Sequence, residues 1–274
     1  TPGPFPGCAR VAPVSTWVLD LDGVVWRDDD LIRGADGAVA ALLERGHTVV
    51  ACTNHALGPQ VKRDALVRLG VAELPVVTSA EAAAARCTPG ERVLVLGDPS
   101  LVEVLAAAGL DAVDVHEWPD GHRVPGVDAV VVGASSRWDR SRVGMAADAV
   151  RSGARFLATN DDATYPTSGP EGARLLPGNG ALVAAVATAS GRDPEVTGKP
   201  HRATAALIES RHGPVDVVVG DKPETDGGLA VELGARFGLV LSGVTTAEHL
   251  PVTPAPTWVA ADLAALVRAA LSVG

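Results

Sequence analysis

Thr16-Trp17-Val18-Leu19-Asp20-Leu21-Asp22-Gly23 is the stretch that decides the fold: an apolar run of strand length ends on two acids, two residues apart, and a glycine. An apolar run bounded by a turn signal reads as a buried strand, and its surroundings settle which kind. A helical pattern follows over Gly37 to Arg45, and then a second apolar run, His47-Thr48-Val49-Val50-Ala51-Cys52, which together make β-α-β. Similar runs recur at Val93 to Leu96, Ala129 to Val132, Arg155 to Ala158, Val215 to Val219 and Gly238 to Leu241, mostly separated by Ala-rich amphipathic segments. Strands that alternate with helices predict an α/β fold built on an open, largely parallel, Rossmann-like sheet.

At 274 residues the chain can form two modest domains, each with its own core. Apolar residues make up 47% but aromatic ones only 3%, so Val, Leu and Ala must build those cores. The formal net charge is −10, with no Lys/Arg run and no stripe of basic and aromatic residues. Such a field repels nucleic acid and anionic lipid, so neither is an expected partner, and an anionic substrate needs local positive charge. Cys8, Cys52 and Cys87 are odd in number and lack CxxC spacing, which argues against a disulfide framework and against a structural zinc site. No secretory signal pattern and no span of about 18 apolar residues is visible, so a soluble, cytoplasmic protein is expected. Thr1 to Pro13, with four prolines and two glycines, reads as an irregular arm. The Gly/Pro clusters at Thr88-Pro89-Gly90 and between Ser168 and Gly180 are expected to mark the junctions of an inserted domain.

Residues two apart on an extended chain point to the same side, so Asp20 and Asp22 can face one site while Gly23 turns the chain. One can attack while the other moves protons; the same four residues also suit an ordinary turn. Val215 to Val219 delivers Gly220-Asp221, and Asp226 follows five residues later. Acids so placed suit a hard, oxygen-seeking cation, with Mg²⁺ the expected ion, although Asp226 could equally cap a helix starting near Gly227. Thr53-Asn54 and Gly198-Lys199-Pro200 could hold phosphate oxygens and neutralise a transferring phosphoryl group. Each alone also fits a turn or a solvated charge. Their order, and their placement where a parallel α/β sheet gathers its active-site loops, join them into one site.

In these residues the chain resembles the haloacid dehalogenase superfamily of aspartate-nucleophile phosphatases. Its four motifs match, in order, Asp20-Leu21-Asp22-Gly23-Val24, Thr53, Lys199 and Gly220-Asp221-Lys222-Pro223-Glu224-Thr225-Asp226. Gly198-Lys199-Pro200, the Thr-Asp ending of the last motif, and Thr159 to Pro166 with Leu176 to Ala181 are similar to the NagD-like branch, which includes pyridoxal phosphate, phosphoglycolate and glycerol phosphate phosphatases. The resemblance implies a catalytic core at residues 1–80 and 193–274 with an inserted α/β cap over 81–192 that selects the substrate. It implies Asp20 as nucleophile and Asp22 as acid and then base. It implies Mg²⁺ held by the Asp20 carboxylate, the Asp22 main-chain carbonyl and Asp221 with support from Asp226, and phosphate held by Thr53, Asn54 and Lys199. The sequence departs from the family where Thr-Asn-Asn becomes Thr53-Asn54-His55 and where Gly227-Gly228 replace a large apolar residue.

The expected activity is hydrolysis of a small phosphorylated metabolite. Glycerol phosphate or another polyol or sugar phosphate is favoured, because few rings are available to stack a base. Asn160, Asp161 and Arg137 are the expected substrate contacts in the cap. A phosphomutase, a dehalogenase or a non-catalytic phosphometabolite sensor remain open on the same fold. A dinucleotide-binding module is disfavoured, since no GxGxxG follows the first strand. Monomer and homodimer both stay open.

Overall fold

Runs of Val and Leu that are apolar on both sides must be covered by helices on both sheet faces. The computed structural model, which describes residues 14–28, 30–120, 122–169 and 172–272, contains two such sheets in two compact units. The arm at 1–13 lies outside the described residues.

The first unit comprises Thr1–Thr53, Gln60–Val77 and Lys199–Gly274. Its six strands lie in the order Trp258–Ala260, Arg236–Val240, Val217–Gly220, Thr16–Leu19, Thr48–Thr53, Val76–Thr78. Thr16–Leu19 is central and pairs in parallel with both neighbours, Leu19 lying opposite Val219 on one side and Ala51 on the other. One face packs Trp17, Leu19, Val49 and Val217 against Val39 and Leu42 of helix Ala35–Glu44 and Leu266 and Val267 of helix Leu263–Leu271. Val18, Val50 and Val218, which point the other way, are buried as well. That burial on both faces is why these strands read as continuous apolar runs. Asp262 starts the last helix by accepting a hydrogen bond from the Ala265 N–H.

The second unit comprises Asn54–Pro59 and Thr78–Gly198. Its parallel sheet runs in the order Glu195–Val196, Arg155–Ala158, Ala129–Val132, Arg92–Leu96, Asp111–Asp114. Leu94, Val130 and Phe156 pack on helices Arg140–Arg151 and Asn179–Ser190. Val93, Val95 and Leu157 pack on Leu101, Leu105, Ala80 and Ala83 from the opposite side.

Where the sequence placed the inserted domain at about 81–192, the second unit takes in Thr78–Gly198 and also Asn54–Pro59. A capping box at Thr78 and Glu81 starts helix Ser79–Ala84, whose alanines pack into the second core, and Glu195–Val196 adds an edge strand to the second sheet. The Gly/Pro clusters do not mark the junctions expected of them: both lie inside the second unit. Thr88-Pro89-Gly90 turns the chain into Arg92–Leu96, and the later cluster carries the antiparallel hairpin Thr164–Gly169/Gly172–Pro177. Gly178 and Gly180 follow it because a side chain at either would collide with the Asp162 or Asp161 carbonyl.

Candidate active site

Parallel strands deliver their following loops to one edge of the sheet, and three neighbouring strands in the first unit end on Asp20, Thr53 and Gly220-Asp221. The Asp20 N–H still bonds the Val219 carbonyl at 2.9 Å, so the carboxylate leaves the chain where the ladder ends. Leu21 turns inward, and its carbonyl accepts from the N–H groups of Val25 and Trp26. Gly23 has φ +81°, and a Cβ there would come within 2.6 Å of Asp221 Oδ2, so the turn needs glycine both for its dihedral and for room.

Lys199 lies at the centre. Its Nζ donates to Asp20 Oδ1 and Asp226 Oδ1, each at 2.7 Å, and to the Cys52 carbonyl at 3.1 Å, which occupies its three N–H donors. It is therefore a buried charge and not a solvated one. Burial alone would pull its pKa down, but Asp20 and Asp226 outweigh that and hold it well above 10.5, so it stays cationic. Asp20 is raised to about 8, chiefly by burial, with Lys199 opposing and Asp226, Asp221 and Asp22 adding to the rise. Asp221 is raised to about 6, again by burial first and then by Asp226.

Carboxylate oxygens of Asp20, Asp221 and Asp226 all lie within 4.8 Å of one another. Three acids facing one lysine leave an uncompensated negative charge in a buried place. Asp221 Oδ2 accepts from the Val244 N–H at 2.6 Å, while its buried Oδ1 has no hydrogen-bond partner among the described residues. An all-oxygen donor set with one orphaned carboxylate oxygen fits a hard divalent cation such as Mg²⁺. Glycines give this pocket its room: a Cβ on Gly220 would strike Asp226, and one on Gly243 would strike Asp221.

The helix-cap alternative for Asp226 is not realised. Its Oδ2 accepts from the Lys222 N–H at 3.1 Å, closing the single π-turn Pro223–Gly227, and helix Gly228–Leu233 has no side-chain cap. Gly227-Gly228 also acquires a reason. A Cβ on Gly228 would sit 2.6 Å from Pro200 Cβ, and one on Gly227 would sit 2.7 Å from Pro254 Cγ. The helix can approach the Lys199-Pro200 segment this closely only without side chains there.

Asp22 occupies a different environment from Asp20. Its side chain is 57% exposed, it stands outside the three-acid cluster, and Oδ1 accepts from Trp26 Nε1 at 2.8 Å. Thr53 is buried at the last position of its strand.

The remaining expected residues belong to the second unit. The Asn54 carbonyl accepts from Ser79 Oγ at 2.7 Å and from Asn160 Nδ2 at 3.0 Å. Asn160 Oδ1 accepts from the Asp162 N–H at 3.2 Å, so one end of this amide braces its own loop and the other ties that loop to the Asn54 segment. Arg137 lies 3.5 Å from Asp114, and Asp161 is exposed. His55 Nδ1 accepts from the Leu57 N–H at 3.3 Å, the arrangement of a histidine engaged with its own loop. The sequence reading passed over Trp26, Lys62, Gly243 and Val244; the Ser242-Gly243 pair after an apolar run was a turn signal that could have pointed to the last two. Among the described residues no helix is long and apolar enough to cross a membrane.

Residues 17–111 match a family described as haloacid dehalogenase-like hydrolase, and residues 196–266 match one described as HAD-hydrolase-like. The chain is 36% identical over 260 residues to D-glycerol 3-phosphate phosphatase of Mycobacterium tuberculosis, covering 91% of this chain and 70% of that protein. It is 31% identical to the ribonucleotide monophosphatase NagD of Escherichia coli, covering 88% and 94% respectively. A crystal structure of glycerol phosphate phosphatase from Mycobacterium tuberculosis in complex with magnesium superposes with a TM-score of 0.77 at 35% identity, covering 92% of this chain and 76% of the other.

Proposed function

We propose a mechanism and a substrate class for a chain that belongs to the haloacid dehalogenase-like hydrolases, in their NagD-like branch, and that acts as a phosphatase on phosphomonoesters. Asp20 is the nucleophile, Asp22 the proton carrier, and the substrate a small polyol or sugar phosphate such as glycerol phosphate. The observation that carries this reading is the Lys199 ammonium, which bridges Asp20 and Asp226 beside the three-acid cluster. A buried lysine that holds one oxygen of a nucleophilic carboxylate also lies where it can offset the charge of a bound phosphoryl group.

In the first half-reaction an Asp20 oxygen forms a bond to phosphorus as the ester P–O bond breaks, and the departing oxygen takes the proton of Asp22. In the second, Asp22 accepts a proton from water as its oxygen bonds phosphorus, and the aspartyl–phosphorus bond breaks to release inorganic phosphate and free Asp20. Asp20, Asp221 and Asp226 would hold Mg²⁺, together with the Asp22 main-chain carbonyl, and the ion would supply charge neutralisation for the phosphoryl group. Thr53 and the Asn54 backbone would hold phosphate oxygens. The residues 78–198 act as a cap in this reading, with Arg137, Asn160 and Asp161 as candidate substrate contacts. Glycerol phosphate is supported by the name of the Mycobacterium tuberculosis relative and by the 3% aromatic content.

Phosphate release from glycerol 3-phosphate, sugar phosphates, a nucleoside monophosphate and 4-nitrophenyl phosphate is the direct test. Release should require Mg²⁺, stop with EDTA and return when Mg²⁺ is restored, fastest on the polyol or sugar esters. Full turnover without metal, or none on any ester, would overturn the reading.

The raised carboxyl groups add a pH signature. Asp20 and Asp221, at about 8 and about 6 against an ordinary 3.8, keep protons in the folded protein that the unfolded chain has released. Metal-free stability therefore falls as pH rises from about 4 to about 8. A cation binds the ionised acids, so Mg²⁺ should raise Tm more at pH 8 than at pH 5. Equal shifts at both pH values would show that these acids do not bind the ion.

A further inference from the structure

We propose that Trp26 and Lys62 form a clamp that fixes the carboxyl group of Asp22 for its two proton transfers, which makes Lys62 a positioning residue of the phosphatase site. The inference rests on the assignment of Asp22 as proton carrier made above.

Asp22 has a problem that Asp20 does not: more than half its side chain meets water, so packing does not hold it. A proton donor must stay within hydrogen-bond reach of the ester oxygen, and a misplacement of about 1 Å can cost about a hundredfold in rate. Two groups from outside the motif supply what packing does not. Trp26, with its indole buried, donates Nε1–H to Asp22 Oδ1 at 2.8 Å. Lys62 brings its Nζ to 4.0 Å from Asp22 Oδ2 and 5.3 Å from the centroid of the Trp26 ring.

The three side chains thus brace one another. The ammonium lies over the indole face, where the ring quadrupole attracts a cation, and beside the carboxylate that the same indole holds by its edge. The Lys62 side chain is only 12% exposed, far less than is usual for lysine, so its charge is held in place rather than loose in solvent. Helix Pro59–Arg68 carries it and is anchored by the buried Leu66. At 4.0 Å the ammonium steers Asp22 without a hydrogen bond, so the carboxyl group can give and take its proton without losing a donor.

Leaving-group dependence separates positioning from mere structure. A glycerol alkoxide needs the Asp22 proton as its P–O bond breaks, whereas 4-nitrophenolate departs without one. Lys62→Met keeps the stem over the ring and removes the charge. It should lower kcat/KM, which reports the half-reaction that expels the leaving group, about ten- to a hundredfold on glycerol 3-phosphate and only a few-fold on 4-nitrophenyl phosphate, while kcat, which includes the water-activation step common to both esters, falls on both. Lys62→Arg, which keeps the charge, should restore most of the loss. Trp26→Phe should show the same split, and Lys62→Met guards against that buried substitution failing to fold.

Asp22→Asn is the reference, with the same split but larger, on the order of 10²- to 10⁴-fold on the alkyl ester. If it shows the split while Lys62→Met loses nothing, or loses kcat/KM equally on both esters, the clamp is refuted and the role of Asp22 stands. If Asp22→Asn itself loses kcat/KM equally on both esters, the acid role of Asp22 fails and the clamp falls with it.

Discussion

Asp20→Asn is expected to abolish phosphate release, by on the order of 10⁴-fold or more, while the protein remains folded. An amide cannot form the bond to phosphorus that splits the hydrolysis into two steps, so the loss should fall on kcat for every ester, good leaving group or poor. The substitution preserves volume and leaves an oxygen to accept the Lys199 hydrogen bond, now made to Asp20 Oδ1 at 2.7 Å. It also removes a charge that burial resists, since the Asp20 carboxyl is pushed up to about 8. Metal-free Tm at pH 8 should therefore hold or rise. Brief reaction of the parent protein with labelled phosphate ester should leave a phosphoryl group on Asp20, and the variant should carry none. Retained turnover in the variant would exclude Asp20 as nucleophile.

Lys199→Met should damage both activity and fold, which Asp20→Asn does not. The methionine fills the same space but withdraws three hydrogen bonds and leaves Asp20 and Asp226 facing each other across a dry pocket. Removing one partner of a buried ion pair costs about 3–5 kcal/mol, because the remaining charge has neither water nor counter-charge. The cost should shrink toward low pH, where Asp20 binds a proton, and in the presence of Mg²⁺, which supplies positive charge. Turnover should fall about 10²- to 10³-fold from lost stabilisation of the transferring phosphoryl group. Urea unfolding at pH 5 and pH 8, beside steady-state kinetics, reads both effects. A midpoint unchanged at pH 8 would show that Lys199 does not neutralise the acids, and turnover within a few-fold of the parent would remove it from the reaction.

Opposite effects on stability from two partners in one ion pair follow from their different balances. Asp20 has three acidic neighbours and one basic one, so losing its charge relieves repulsion. Lys199 is shared between two acids, so losing its charge exposes both.

The alternation of apolar runs with helical patterns located the strands at 16–19, 92–96, 129–132 and 155–158 to within a residue or so, because each is buried on both faces and has no polar alternation to blur it. The strands it missed are short, polar or at a sheet edge. Val76–Thr78 and Trp258–Ala260 have only three residues each, Asp111–Asp114 begins and ends on an acid, and Glu195–Val196 is a two-residue edge. The hairpin Thr164–Gly169/Gly172–Pro177 was hidden by its prolines and glycines, which read as junctions although edge strands tolerate them.

For the site, sequence alone grouped Asp20, Asp22, Thr53, Lys199, Asp221 and Asp226, because Asp20, Thr53 and Asp221 follow strands that the local pattern located and Lys199 and Asp226 complete the motifs of the family it resembles. What sequence could not decide is how those residues divide the available water and charge. That Lys199 reaches Asp20, 179 residues away, depends on which strands neighbour one another. That Asp20 is nearly dry and Asp22 more than half wet depends on what is packed above each. Lys62, Trp26, Gly243 and Val244 carry no motif, and they matter only because the fold brings them to two carboxylates. Covalent neighbours set periodicity, turns and candidate chemistry; desolvation, hydrogen-bond partners and pKa arise from atoms that only the folded chain brings into contact.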